Sequence, residues 1–178
     1  MTVEALRRRR PETLADLLDA YGREIQAVAY LIVRDRADAE DVTIETLLTA
    51  FERGGDIRDE RALRAWLLRV ATNKALGLKR KSVRVVRLDT VPDRAGPEDF
   101  GATATTRLAL LDGVADLPLQ IRAALVLRYY ADLSVEEVAT TLGKSPNTIK
   151  AQLQTALDRL RVHLADQVGT SLEEASHA

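Results

Sequence analysis

Apolar residues return along most of this chain with the 3.6-residue period of a helix buried on one side. Leu14, Leu17, Leu18, Tyr21, Ile25, Val28 and Ile32 keep that period across one long amphipathic helix. A second helix is predicted from Asp35 or Asp38 to Arg53, where Gly54 and Gly55 stop it. A third, from about Asp59 to Lys81, carries Leu63, Trp66, Leu67 and Val70 on one face. Residues 82–116 lose the period and gain Pro92, Gly96, Pro97, a group of acids and the run ATATT, which reads as a linker. The period resumes through Leu117, Ile121, Leu125 and Leu127 and ends near Ala165. No internal repeat is present. The pattern predicts an all-α protein of two small helical domains joined by a flexible linker. Its boundaries are a basic N-terminal tail (1–11), a first domain (12–81), the linker (82–116), a second domain (117–166) and a polar tail (167–178).

The second domain contains a capped helix pair, LSVEEVATTLGKSPNTIKAQLQTAL. Ser134 and Glu137 have the spacing of a capping box, in which serine caps the helix and glutamate reaches back to the cap's amide. Gly143 suits the left-handed exit that follows Leu142. Ser145 caps the next helix, and Pro146 takes its first position, where a missing amide hydrogen costs nothing. Ile149, Leu153, Ala156 and Leu160 then point inward, and Asn147, Lys150, Ala151 and Gln154 outward. An ordinary helical hairpin would share some of these features. Two caps, the intervening glycine and the polar outer face favour a helix-turn-helix that reads DNA.

Charge complicates that reading. The whole chain of 178 residues carries a formal net charge of -1, and its would-be reading helix holds Lys150 and no arginine before Arg159. The bases are concentrated elsewhere. Arg61, Arg64, Arg69, Lys74, Lys79, Arg80 and Lys81 lie in a stretch without an acid, whereas residues 35–60 are predominantly acidic. The basic helix is either a solvated face or a nucleic-acid surface. The acidic helix is either solvated or a docking surface for a basic partner. With no cysteine there is no disulfide or zinc-thiolate chemistry, and His163 and His177 have no metal-ligand spacing around them. No glycine-rich phosphate loop occurs, and no stretch approaches a membrane span. A non-enzymatic, cytoplasmic protein without cofactor or metal is expected.

Three blocks in order, ADAEDVTIETLLTAFERG, RALRAWLLRVATNKAL and LPLQIRAALVLRYYADLSVEEVATTLGKSPNTIKAQL, resemble the extracytoplasmic-function (ECF) subfamily of bacterial RNA polymerase sigma factors. The resemblance implies a transcription initiation factor whose partners are core RNA polymerase, promoter DNA and an anti-sigma factor, with no membrane insertion. Domain 12–81 would be region 2, which docks on a basic coiled coil of the polymerase and melts and reads the minus-10 element. Domain 117–166 would be region 4, which reads the minus-35 element. A free-standing helix-turn-helix regulator, or a sigma-like decoy that titrates an anti-sigma factor, are the competing readings.

Carried over by position, the resemblance assigns polymerase binding to Asp41, Glu45, Thr46 and Leu48, with Phe51 beside them as packing. It assigns minus-10 DNA to Arg58, Arg61, Arg64, Arg69, Asn73, Lys74, Lys79, Arg80 and Lys81, with a flipped base held by the loop from Gly54 to Ala62. Trp66 falls in the same block, but a lone tryptophan on an apolar stripe is expected to pack. Lys74 also lies on that stripe and would have to snorkel to reach DNA. Minus-35 contacts fall to Ser145, Asn147, Thr148, Lys150, Ala151, Gln152, Gln154 and Thr155. The chain departs from the family at Ile44, where glutamine is usual, at Gly77 and Leu78, where aspartate and arginine are common, and at Gln152 and Thr155, which often are arginine. A weakly charged reading helix is tolerable in a sigma subunit, because a tethered second site binds at high effective concentration.

Overall fold

The computed structural model of the chain describes Leu6 and residues 12–53, 57, 59–82 and 104–176, without the side chains of residues 79–82, 104–107 and 166–176. All regular structure among the described residues is helical. Helix α1 (Glu12–Leu17) runs through a wide π turn (Leu18–Gly22) into α2 (Arg23–Val33). Then follow α3 (Arg36–Arg53), α4 (Glu60–Ser82), α5 (Ala104–Ala115), α6 (Leu119–Leu125) with a π turn (Val126–Tyr130), α7 (Val135–Leu142) and α8 (Pro146–Ser176).

Local chemistry sets these boundaries. Arg34 closes α2 in the left-handed conformation, φ 59°, and its amide donates to the Tyr30 carbonyl at 2.8 Å. The next residue restarts the chain: the Asp35 carboxylate accepts the Asp38 amide at 2.8 Å. Asp59 does the same for α4, accepting from Ala62 at 2.8 Å. The capping box is present, with the Glu137 amide on Ser134 Oγ at 3.2 Å and the Ser134 amide on Glu137 Oε2 at 2.8 Å. Gly143 takes φ 63°, so the turn geometry read from the sequence is the one observed.

Helices α2, α3 and α4 pack together as one unit, and α5, α6 and α7 pack on α8 as another. A single apolar core nevertheless runs through both. It joins Leu17, Ile25, Val28, Ile32, Leu63 and Leu67 of the first unit to Leu127, Leu133, Val138 and Ile149 of the second. A smaller cluster of Val114, Leu117, Leu125, Ala156 and Leu160 holds α5 and α6 against α8.

Three expectations change. The stretch read as a linker contains α5 over Ala104–Ala115, while residues 83–103 lie outside the described residues. Helix α5 mixes exposed Leu110 with buried Val114, so its apolar period is weak. Helix α8 continues through the expected end near Ala165 to Ser176. Leu6, within the stretch read as a basic tail, is fully buried in the shared core.

Candidate functional site

Three surfaces carry the side chains singled out in the sequence. On α3, Ala39, Val42, Thr43, Thr46, Leu47 and Ala50 turn inward. Asp41, Ile44, Glu45 and Leu48 therefore share the outer face at i, i+3, i+4 and i+7. Ile44 is 58% and Leu48 44% exposed, so two carboxylates flank an uncovered apolar pair. Thr46 does not join them. It is fully buried, and its hydroxyl donates to the Val42 carbonyl at 2.6 Å, satisfying itself within its own helix.

On α4, Arg61, Arg69 and Asn73 are exposed along one four-residue stripe. Trp66 is half-buried against the shared core, as its place on the apolar stripe predicts. Arg58 lies outside the described residues, as do Gly54, Gly55 and Asp56 of the Gly54–Ala62 loop and the side chains of Lys79, Arg80 and Lys81. Two bases expected to be open are engaged. Lys74 is half-buried and its Nζ donates to Glu45 Oε2 at 2.9 Å. This bond ties the basic helix to the acidic face of α3. Arg64 is held more firmly: its Nε donates to Glu24 Oε2 at 3.1 Å, and its Nη2 donates to Glu24 Oε1 and, at 2.8 Å, to the Ala131 carbonyl.

At the start of α8, Asn147, Lys150, Ala151, Gln154 and Thr155 are exposed while Ile149, Leu153 and Ala156 anchor the helix beneath. Ser145 Oγ accepts the Thr148 amide at 3.1 Å and lies 2.8 Å from its hydroxyl, so both residues build the cap. Gln154 Nε2 is drawn to the Asp158 carboxylate at 3.0 Å. Gln152 departs from expectation. It is half-buried, and its Oε1 is shielded without a hydrogen-bond partner, so it lies beside the outer face rather than on it.

The electrostatics link these surfaces. Hydrogen bonds from the Ser134 amide and with its side chain hold the Glu137 carboxyl below its ordinary pKa, helped by the charges of Arg61 and Arg64 and opposed by partial burial. The first turn of α7 is thus electrostatically coupled to the first turns of α4. Among the described residues no group of three or more His, Cys, Asp or Glu is arranged to hold a metal ion, and no helix is long and apolar enough to cross a membrane.

Known proteins resemble this chain in sequence. Residues 17–85 match the family described as Sigma-70 region 2, and residues 107–160 match Sigma-70, region 4. The ECF RNA polymerase sigma factor SigL of Mycobacterium tuberculosis is 33% identical over 157 residues, which cover 84% of this chain and 88% of SigL. The chain is an ECF sigma factor.

Its fold agrees with solved sigma factors. RpoE of Bartonella quintana, solved in complex with the anti-sigma factor NepR, superposes with a TM-score of 0.72 at 22% identity, covering 86% of this chain and 98% of that one. CnrH, solved in complex with the cytosolic domain of CnrY, gives 0.66 at 22% identity, covering 92% and 95%. In this sigma factor the region 4 match begins inside α5, so this helix belongs with the helix-turn-helix unit. Two ion pairs at these surfaces lay beyond sequence reasoning, Arg64 with Glu24 and Lys74 with Glu45. Opposite charges were visible at all four positions, but nothing local pairs residues 40 and 29 apart.

Proposed function

We propose that this sigma factor docks on a basic surface of core RNA polymerase through Asp41, Ile44, Glu45 and Leu48 on α3. It then engages the minus-10 strand along α4 with Arg61, Arg69 and Asn73, and offers Asn147, Lys150, Ala151 and Gln154 of α8 to the minus-35 element. The observation that carries the reading is the outer face of α3, where an acidic rim surrounds an uncovered apolar pair within a sigma region 2 match. A surface of that kind suits a basic partner that also removes apolar area from water. The exposed stripe on α4 suits unpaired DNA, which is held by basic side chains beside its bases. The polar start of α8 has the size and chemistry of a major-groove reader.

Thr46 and Gln152 have no part in this reading, because the first is packed inside its helix and the second is turned from the open face. Ser145 and Thr148 serve by shaping the helix start. An anti-sigma factor is proposed as a further partner, in keeping with the NepR complex of RpoE. Run-off transcription with core polymerase and genomic promoter fragments tests the function. Specific transcripts that depend on the chain support it. Tight, sequence-specific duplex binding without polymerase and without initiation would instead identify a free-standing regulator.

A further inference from the structure

Lys74 stands at the edge between two faces of region 2. On α4 it follows Asn73, the last residue of the exposed stripe, but one residue turns a helix by about 100°, so the two side chains leave in different directions. Four residues to either side of it are Val70 and Leu78, both half-buried, and Leu78 packs against the shared core. A lysine in that row lays its methylenes along apolar neighbours and brings its ammonium out where the row meets water. Here the outlet is α3, which packs on α4, and Nζ lies 2.9 Å from Glu45 Oε2. The lysine side chain is 28% exposed and that of the glutamate 62%. The base is thus largely enclosed, while the acid stands out towards solvent.

The bond uses one of the three donors of the ammonium, so placement and not exhaustion decides what Lys74 does. It occupies one oxygen of Glu45, and a carboxylate accepts at two, so Glu45 keeps acceptor capacity for a second base. The other ion pair on this helix, Arg36 with Glu40, joins residues of a single helix four apart. Glu45 is instead held from a neighbouring helix, which fixes where its long side chain points. A side chain ordered in advance loses less freedom when a partner binds it. The ammonium also repels an incoming base, but across an exposed carboxylate the high dielectric of water weakens that repulsion.

We infer that Lys74 is a positioning residue for polymerase docking: it holds the Glu45 carboxylate in place for a basic group of the core enzyme and takes no phosphate of the minus-10 strand. The inference rests on the proposed use of α3 for docking.

The test measures equilibrium binding of the full-length chain to immobilised core polymerase. Lys74→Met keeps an apolar stem and removes the charge, and should weaken binding about threefold, part of the cost of ordering one long side chain. In a Glu45→Ala background the same substitution should change nothing, because the group it positions is gone. Lys74→Arg, which keeps a cationic donor, should restore most of the affinity. Lys74→Gln replaces the methionine variant should that not fold. The second readout is the salt dependence with which holoenzyme, formed with each variant at saturation, binds a single-stranded oligonucleotide of the minus-10 strand from a genomic promoter fragment. Lys74→Met should leave the double-logarithmic slope unaltered, whereas loss of a phosphate contact would flatten it by about 0.7. A flatter slope, or core binding that is equal or tighter in the folded variant, overturns the inference. So does a loss of affinity that persists in the Glu45→Ala background. If Glu45→Ala alone leaves core affinity unchanged, the docking face falls and the positioning role with it. If Glu45→Ala weakens binding and Lys74→Met does not, only the role of Lys74 is lost.

Discussion

Gln152 puts a carbonyl oxygen where neither water nor a donor reaches it. A buried acceptor left unpaired costs about 1–3 kcal/mol, so replacing it with an apolar side chain of similar shape should stabilise the protein. Gln152→Met is expected to raise the melting temperature by about 2–4 °C in differential scanning calorimetry, the shift of about 1 kcal/mol at this chain length. Glu137 supplies a pH-dependent counterpart. Its folded pKa lies below the ordinary value of 4.5, so its contribution is fully present above that value and disappears as pH falls through the lowered one. Glu137→Gln should therefore cost about 1 kcal/mol or less near neutrality by urea denaturation. The gap from wild type should close as pH falls through the lowered pKa. At this scale the sequence was informative where a side chain's role is local. Ser134, Glu137, Gly143 and Ser145 all do what their spacing implies. The burial of Thr46 and Gln152 was not legible, because it depends on which neighbours cover the flank of a helix, and no short motif encodes that.

Helix α3 places Asp41 and Glu45, the carboxylates proposed for docking, four residues apart on the face opposite its buried one. Reversing both charges with Asp41→Lys and Glu45→Lys should abolish core-polymerase binding in a pull-down while the circular dichroism spectrum stays helical. Each lost interfacial pair is worth roughly 2–5 kcal/mol. Helices α5 and α8 show a different dependence. A Cβ added at Gly113 would lie 2.9 Å from both Leu160 Cδ2 and the His163 ring, closer than carbon atoms approach. The leucine methyl can swing aside, so Gly113→Ala should cost about 1 kcal/mol, the lower end of overpacking. The melting temperature should fall by about 2–4 °C. Helices with one apolar stripe were legible from period alone, as Ile149, Leu153, Ala156 and Leu160 demonstrate by being buried together. Helix α5 was not, because exposed Leu110 and buried Val114 look alike in a sequence.

Across the whole molecule charge is unevenly shared, and residues 107–160, the region 4 match, carry six bases and six acids, so this unit has no net charge to attract duplex DNA. The free chain should bind promoter duplex weakly in an electrophoretic shift, and tighten by orders of magnitude only with core polymerase, which supplies a tether and a high local concentration. Sub-micromolar specific binding by the chain alone would contradict this. Division into two helical units was readable from composition, since a proline-, glycine- and acid-rich stretch separates two periodic ones. Their union was not, because Arg64 and Ala131 are 67 residues apart and the core they cover is assembled from apolar positions that also fit separate domains.

That common core has a consequence for rivalry over a limited pool of polymerase. When only a fraction of a protein is competent to bind, its apparent affinity is the intrinsic one reduced by that fraction. If the two units must part for the proposed docking, the share of polymerase this chain captures depends on Leu127, Leu133 and Val138, which are buried in the common core, as well as on the face of α3. Two chains with identical promoter-reading and docking residues could rank differently in such a contest through a single methyl group between their halves.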